Sequence, residues 1–342
     1  MTHRRTLSPT RRRFVQGSAA AAASTFFIGR ARADEPEFVM KVATVAPPGT
    51  PWAKQLRKIK KAIKEQSEGR IKVKTYLGGG LGPEEATIEA TKRGAIQLWG
   101  GSAGALASSV PEITCLELPY LFDKEKTADR ILDDVIRGDL DKLLWDRGYK
   151  LLFFSENGYR SIGSSFPIHS PADLKGKKMR SQQNDVHLNT WKDCMKASPV
   201  PIAVTEVLSS LQTGVVEGFD NTPLFAFAAS WHQAITHFTL TKHIYQPGIV
   251  VASRKFWETL PPELQTIIQG DPASLAKKGR RGVRAIGPML EQNFVDSGIE
   301  LVRLSAAERS AFASNAEAVH AKFRKSTSAA GKSLFDKIKK NL

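Results

Sequence analysis

Apolar and polar positions follow two alternating patterns along the chain. Trp52, Leu56, Ile59 and Ile63 recur at spacings of four, three and four, which predicts an amphipathic helix. Residues 71–77 alternate in the manner of a half-buried strand. Because such strand and helix patterns keep succeeding one another, we predict an α/β fold with largely parallel sheets.

The same order of elements restarts in the second half of the chain. The segment "IEATKRGAIQLWGGS" runs helix, glycine, apolar strand and glycine-containing turn, and "LSSLQTGVVEGFDNT" repeats that order. A further apolar strand, "PGIVVASRKFW", precedes a predominantly helical tail. We therefore predict two lobes with a ligand cleft between them. Lobe I comprises residues 34–157 plus 247–286, and lobe II comprises residues 158–246 plus 287–342.

The first 33 residues have the layout of an export signal. Residues 10–16 carry twin arginines followed by Phe14, residues 17–28 are weakly apolar, and residues 31–33 supply the small side chains of a cleavage site. We predict a twin-arginine signal peptide at residues 1–33 and a periplasmic location; the alternative is a basic tail that binds nucleic acid. No apolar run approaches the ~20 residues of a bilayer span, so the protein is predicted not to span a membrane.

The formal charge depends strongly on this segment. The whole chain carries +16, but residues 1–33 hold seven arginines and no acid, so the remainder has 43 basic and 34 acidic residues, or +9. A moderately basic surface favours anionic small molecules. An exported protein without a nucleic-acid motif is not expected to bind nucleic acid. The run "KKGRR" at residues 277–281 is interpreted as a solvated helix face, with a docking surface as the alternative.

Motifs for metals, cofactors and disulfides are absent from the sequence. HExxH, CxxC and EF-hand patterns do not occur. The segment "GGGLG" lacks the spacing and the lysine of a P-loop, and it fails GxGxxG because Pro83 occupies the place of the last glycine. In the same segment, Glu84 and Glu85 favour the start of a helix. Cys115 and Cys194 lie 79 positions apart, in different predicted lobes. We predict no cofactor, no metal site and two free thiols.

The most enzyme-like motif is "GGSAG" at residues 100–104. It fits GxSxG and follows an apolar strand, as a nucleophile elbow does, which would make Ser102 the nucleophile of a secreted serine hydrolase. No convincing aspartate and histidine partners stand out. The preferred interpretation is a turn that contacts a ligand, and no enzymatic activity is predicted, with the hydrolase kept as the alternative.

Two arginines are better candidates for a binding site. Arg160 follows an apolar strand in "ENGYRS", and Arg180 ends the strand "KKMRS". A guanidinium is always charged, and its planar fork matches a carboxylate through two hydrogen bonds. A charge-assisted bond of this kind is worth roughly 1.5–3 kcal/mol. We therefore predict that Arg180 points inward and binds an anion, while the lysines before it stay in solvent.

Five segments together resemble a known family. They are "GGGLGPEEATIEATKRGAI", "LELPYLF", "ENGYRSIGSSFPIHSPADLKGKKMRS", "EVLSSLQTGVVEGFDNT" and "HIYQPGIVVASRKFWETLP". In this order they resemble the solute-binding proteins of TRAP transporters, the DctP family, over nearly all of the chain after residue 33. The third and fourth segments are the most specific.

The resemblance implies a fold, a ligand class and a partner. The fold would be two α/β lobes joined by crossing strands and by a long helix that spans both. A small organic acid, bound through its carboxylate, would occupy the cleft, and the loaded protein would dock on the membrane subunits of a TRAP permease. Members of the family catalyse no reaction, and we expect a monomer.

The resemblance also assigns roles to individual positions. Arg180 matches the arginine that binds the ligand carboxylate, and Arg160 matches a second arginine that assists it. Asn221 matches a polar residue near that carboxylate. Trp52 and Ser102 fall on the first and second loops of the cleft, where relatives place ligand contacts.

Three further features of the family comparison bear on the ligand. Asp220 is acidic where some relatives hold a metal with the ligand, although one acid alone does not make a metal site. The second cleft loop has glycine where some relatives carry an acid, which weakens the case for a sugar acid. Trp52, Phe225 and Phe227 would permit an apolar or aromatic acid, and the two phenylalanines could instead belong to the core.

Overall fold

The structure of the protein is a computed structural model that describes residues 35–342. The predicted signal peptide at residues 1–33 lies outside these described residues. Within the described part of the chain, none of the helices combines the length and apolar character that a bilayer span requires.

Nine strands pair in one mixed sheet within the described residues. The strands are β1 (Phe38–Ala43), β2 (Ile71–Tyr76), β3 (Leu98–Ser102), β4 (Tyr149–Ser164), β5 (Lys178–Ser181), β6 (Ser198–Pro201), β7 (Gly218–Asn221), β8 (His237–Ser253) and β9 (Glu300–Val302). The strand order is β2-β1-β3-β8-β4-β7-β5-β6, with β9 paired to β8.

The helices lie between and after these strands. They are α1 (Pro51–Gln66), α2 (Glu84–Lys92), α3 (Ala103–Leu106), α4 (Glu125–Arg130), α5 (Arg137–Asp146), α6 (Asp185–Asn189), α7 (Val207–Gln212), α8 (Pro223–Ala228), α9 (Arg254–Trp257), α10 (Pro262–Gln269), α11 (Pro272–Arg284), α12 (Gly287–Asp296), α13 (Ala306–Ala313), α14 (Ala316–Ser326) and α15 (Ala329–Lys340).

The sheet has two parallel ends and an antiparallel centre. Strands β2, β1 and β3 pair in parallel, as do β6, β5 and β7. Between these triplets run the long strands β4 and β8, which are antiparallel to each other and to their outer neighbours. The predicted α/β class and crossing strands are confirmed. The predicted parallel pairing holds within the two triplets and between β8 and β9, whereas the other pairings of β4 and β8 are antiparallel.

The two sequence segments that share the order helix, glycine, strand and turn occupy equivalent positions in this sheet. Helix α2 leads into β3, which borders β8, and helix α7 leads into β7, which borders β4. The strand of each segment, β3 or β7, therefore lies beside one of the two long crossing strands.

The helical segments are interrupted at two places. A π-helical turn at Ile131–Val135 lies between α4 and α5. Only Ala285 and Ile286 separate α11 from α12, and Pro288 follows immediately in the first turn of α12. Because proline offers no backbone donor, an unbroken helix through this point would lose a hydrogen bond. Helix α11 therefore ends before α12 begins, and the long lobe-spanning helix that the resemblance implies stays a prediction.

The largest apolar core extends through both predicted lobes. It includes Leu151, Ile162 and Trp191, all buried. Cys115 and Cys194 are buried in the same core and remain free thiols, as predicted. The C-terminal helix α15 packs against the 3₁₀ turn Pro111–Glu117 of predicted lobe I. The division into two lobes remains a prediction.

Candidate functional site

A pocket of about 50 Å³ gathers residues from five strands of the sheet. Strands β3, β4, β5, β7 and β8 each contribute to its lining, so it lies where the two parallel triplets meet the crossing pair. Six of the seven predicted site residues line it, namely Trp52, Ser102, Arg160, Arg180, Asn221 and Phe225. The seventh, Asp220, is not part of the lining.

Arg180 is a buried cation whose charge is unpaired within the described residues. It is 3% exposed, and its Nε donates to the Ile202 carbonyl oxygen at 3.0 Å. Its guanidinium carbon lies 5.6 Å from the centre of the Trp231 ring. No ion pair and no hydrogen bond from either terminal nitrogen is found among residues 35–342. The Nη1–Nη2 edge therefore remains available for a planar anion.

The electrostatic surroundings of Arg180 reflect this lack of a partner. Burial, reinforced by repulsion from the Arg160 guanidinium, lowers the pKa of Arg180 to about 10. The side chain is still a cation at neutral pH. Burying a charge without a partner is costly, so an incoming carboxylate would relieve an unfavourable interaction as well as form a new one.

Arg160 is held by an internal carboxylate. Its Nε donates to Asp220 Oδ2 and its Nη2 to the Asp220 carbonyl oxygen, both at 2.5 Å. His243 Nε2 lies 3.3 Å from the same Oδ2, and Trp191 Nε1 donates to Oδ1 at 3.3 Å. Although burial opposes ionisation, Arg160 and these hydrogen bonds hold the pKa of Asp220 well below its usual value. The pair contributes little net charge to the pocket.

Asp220 is thus engaged with Arg160 and does not line the pocket, so its contact with a ligand stays a prediction. Successive side chains of a strand point to opposite faces, and Asn221 on β7 faces the pocket. Asp220 consequently faces away and positions Arg160. Within the described residues, no cluster of three or more histidine, cysteine, aspartate or glutamate side chains could hold a metal ion.

Asn221 supplies a polar group beside Arg180. Its side-chain oxygen accepts from the Thr222 backbone N–H at 2.8 Å, which fixes the orientation of the amide. No hydrogen bond from its Nδ2 is found within residues 35–342. That nitrogen is a candidate donor to a ligand oxygen.

Glu84 is a functional candidate that the sequence did not single out. It begins α2, lines the pocket and is 8% exposed. Gly101, which was predicted on a cleft loop, is in strand β3 and lies against Glu84: a Cβ at that position would be 2.6 Å from Glu84 Oε1. Helix α2 thus brings a carboxyl group to this part of the pocket wall. Burial, with a smaller contribution from Glu85 and against the attraction of Arg180, raises the pKa of Glu84 to about 8.

Buried polar side chains, three of which line the pocket, form a hydrogen-bonded network. Gln182 Nε2 donates to Ser102 Oγ at 3.2 Å, and Gln246 Nε2 lies 3.3 Å from Gln182 Oε1. Gln246 Nε2 also donates to Glu117 Oε2 at 3.2 Å, and that oxygen is 2.7 Å from His187 Nε2. These hydrogen bonds restrain the orientations of the side chains that they join, although His187 Nδ1 is buried without a hydrogen-bond partner in the described residues.

The Ser102 environment does not support a nucleophile. Its hydroxyl oxygen accepts from the Ala105 backbone N–H at 3.2 Å and so caps α3. Its other partner is the Gln182 amide. A serine nucleophile requires a general base within hydrogen-bond reach. No histidine or carboxylate among residues 35–342 makes that bond with Ser102.

The remaining pocket walls are largely apolar. Val204, Leu224 and Phe225 line one part, and Phe225 packs edge-on against Trp231 with ring centres 5.4 Å apart. Trp52 is anchored by its indole nitrogen, which donates to the Glu156 carbonyl oxygen at 3.1 Å. A side chain at Gly248 would collide with the Trp52 ring, so glycine is required there.

The raised pKa of Glu84 predicts how stability varies with pH. Between the ordinary value of 4.5 and about 8, the folded protein holds a proton that the unfolded chain has released. Stability therefore falls as pH rises through this window. We expect Glu84→Gln to remove this pH dependence. The free energy of unfolding of the variant should therefore increase relative to that of the wild type as pH rises. Urea unfolding between pH 4.5 and pH 8 measures this, and parallel profiles for the two proteins would contradict it.

Comparison with known proteins places the chain in a family. The model of bacterial extracellular solute-binding protein family 7, DctP, matches residues 42–326. A solute-binding protein of Verminephrobacter eiseniae is 34% identical over 202 residues, a match that covers 59% of this chain and 60% of that relative. The C4-dicarboxylate-binding periplasmic protein DctP of Rhodobacter capsulatus is 28% identical over 288 residues, covering 82% of this chain and 85% of the relative.

A solved structure agrees with these matches. The sugar acid binding protein DctPAm from Advenella mimigardefordensis, in complex with galactonate, superimposes with a TM-score of 0.83 at 26% identity. The superposition covers 90% of this chain and 99% of that one. The chain therefore belongs to bacterial extracellular solute-binding protein family 7, the DctP family of TRAP transporter solute-binding proteins.

Proposed function

We propose that this protein is a periplasmic receptor that binds a small organic acid through its carboxylate and delivers it to the membrane subunits of a TRAP permease. The observation that carries the proposal is the buried Arg180, whose terminal nitrogens have no partner among the described residues. The receptor catalyses no reaction. We further propose that it is exported through the twin-arginine pathway and acts as a monomer.

The ligand carboxylate accepts two parallel hydrogen bonds from the Nη1–Nη2 edge of Arg180. Asn221 Nδ2 donates to one of the same oxygens. Arg160 assists by position and by its positive charge, while its own donors remain largely committed to Asp220. Because Arg180 is the one pocket cation without an internal counter-ion in the described chain, a single carboxylate balances the charge.

The rest of the ligand is small and partly apolar. Val204, Leu224 and Phe225 would contact its carbon skeleton, and the pocket volume of about 50 Å³ favours a short acid. Glu84 is protonated at neutral pH and would donate a hydrogen bond to a ligand oxygen. A second carboxylate on the ligand would lie beside Glu84, and the described residues of the pocket offer no further unpaired cation to balance its charge. We therefore propose a short monocarboxylate with a hydroxyl or keto oxygen.

The predicted lobes supply the movement that admits the ligand. We propose that they turn about the crossing strands β4 and β8 and about the short break between α11 and α12. Breaks of this kind can absorb backbone rotation while the packed halves stay rigid.

A thermal-shift screen tests the proposed ligand class. At about 100 times its dissociation constant, a ligand of the native state stabilises it by about 2.7 kcal/mol, which raises the unfolding midpoint. We expect short monocarboxylates to raise the midpoint more than succinate or neutral sugars at pH 7. A screen in which neutral sugars act as strongly as the acids would contradict the role of the carboxylate.

Titration of the best ligand from about pH 7 to about pH 9 examines Glu84 separately. Affinity should fall over this range, because ionised Glu84 would place a negative charge beside the anion. Glu84→Gln should flatten the dependence. An equal fall in both proteins would remove Glu84 from the proposed site without affecting the assignment of Arg180.

A further inference from the structure

A second cavity, the α1–α10–α11 groove, has features that solute capture at Arg180 does not use. It measures about 500 Å³, and none of its lining residues belongs to the Arg180 pocket. Four half-buried apolar side chains form its floor, namely Ile59, Ile267, Leu275 and Ile286. The groove is thus an apolar channel on a separate part of the described surface.

The shape of the groove follows from how α1 and α11 pack. Gln55 Nε2 donates to the Leu275 carbonyl oxygen at 2.8 Å. At Gly279 the helices approach so closely that an added Cβ would lie 2.7 Å from Gln55 Oε1. The glycine therefore permits a tight junction beside the groove, and Leu275, one turn earlier on α11, contributes to the open floor.

The rim of the groove is positively charged on both sides. Lys54 and Lys58 of α1 and Lys278 of α11 line it, and all three are exposed. None of the three forms an ion pair with another residue in the described range 35–342. Asp271 is the acidic residue of the lining, and its Oδ1 accepts from the Ser274 backbone N–H at 3.1 Å as the cap of α11. The net charge of the rim is therefore positive.

The basic run at residues 277–281 divides between two faces of α11. Arg280 is 4% exposed and is paired with Asp129 and Asp133, so its interpretation as solvated is wrong. Lys277, Lys278 and Arg281 remain exposed. The buried arginine secures α11 to the protein, while Lys278 adds charge to the groove.

We propose that the α1–α10–α11 groove binds an anionic amphiphile, specifically an unbranched medium-chain carboxylate. The alkyl chain lies along the four apolar side chains, and the carboxylate is held by the rim lysines. An apolar cavity with a few charged groups at its edge is the usual form of a site for such a ligand. The complementary charge favours an anion over a neutral or cationic chain of equal length.

Calorimetric titration with octanoate, nonanoate and decanoate below their micelle concentrations tests this proposal. Each added methylene should tighten binding about three- to fourfold. Decyltrimethylammonium should bind much more weakly than decanoate. Affinity that is independent of chain length, or equal affinity for the cationic probe, would overturn the proposal.

Two charge-reversal variants locate the binding. Lys58→Glu should weaken decanoate binding at least about tenfold, which corresponds to about 1.4 kcal/mol. Lys64→Glu is the matched control, because Lys64 is exposed on α1 but does not line the groove. Equal losses in the two variants would overturn the assignment. Circular dichroism confirms that both remain folded.

Two further outcomes separate this site from its competitors. Arg180→Met should retain decanoate binding, and loss of binding in that variant would move the amphiphile to the Arg180 pocket and overturn the proposal. If a second copy of the protein covers the groove instead, the wild type will sediment as a dimer and decanoate will give no binding heat. That result would equally refute the amphiphile site.

Discussion

Arg180→Met is expected to abolish ligand binding and to raise the unfolding midpoint of the ligand-free protein. Methionine approximates the length of the arginine stem and carries no charge, so the unpaired buried cation disappears without leaving a large cavity. Removing one partner of a buried, charge-assisted contact costs about 2–5 kcal/mol of binding free energy, which is about 30-fold or more in affinity. Thermal unfolding with and without the best ligand measures both effects.

Lys178→Met provides the control for this variant. Lys178 lies on the same strand, two residues before Arg180, and its side chain is exposed. We expect it to bind the ligand with nearly wild-type affinity. If Arg180→Met also retained affinity, the carboxylate would have to bind elsewhere and the proposed function would lose its main support.

Asp220→Asn is expected to cause the largest loss of stability. The substitution leaves the Arg160 guanidinium, 1% exposed, without a counter-ion. Breaking a buried pair in this way typically costs about 3–5 kcal/mol. It would also weaken the positions of His243 and Trp191, which share the same carboxylate. The midpoint and slope of urea unfolding give the loss directly.

The double variant Arg160→Met/Asp220→Asn tests the cause of that loss. Because it removes the stranded charge, it should be more stable than Asp220→Asn alone. Asp336→Asn serves as the surface control, since Asp336 pairs with Arg324 in solvent and its loss should change stability little. A double variant no more stable than the single one would show that the cost does not arise from an unpaired Arg160.

The sequence predicted the two arginines because their chemistry depends little on context. A guanidinium suits a carboxylate partner wherever it stands, and Arg160 and Arg180 do line one pocket, although Arg160 is paired with Asp220. Asp220 and Asn221 were harder to separate, because their roles depend on which face of β7 each side chain takes. In the sequence, Glu84 indicated only the start of a helix. Its position in the pocket wall depends on the approach of Gly101, which is distant from it in the sequence pattern but adjacent in space.

The sequence predicted the types of secondary-structure element but not the direction in which all the strands pair. Alternating patterns identified the α/β class and the equivalent positions of β3 and β7. Strands β4 and β8 are buried along most of their length, so their periodicity carries no sign of strand direction. The break between α11 and α12 could have been inferred from Gly287 and Pro288, since both residues disfavour a helix interior.

The unpaired charge of Arg180 also bears on the lifetime of the protein in the cell. Until an anion arrives, the free energy of unfolding is reduced by the cost of burying that cation. Proteases act on transiently opened molecules, and the population of these molecules rises as the free energy of unfolding falls. If Arg180 binds the ligand as proposed, we therefore expect empty copies to be degraded faster than loaded ones.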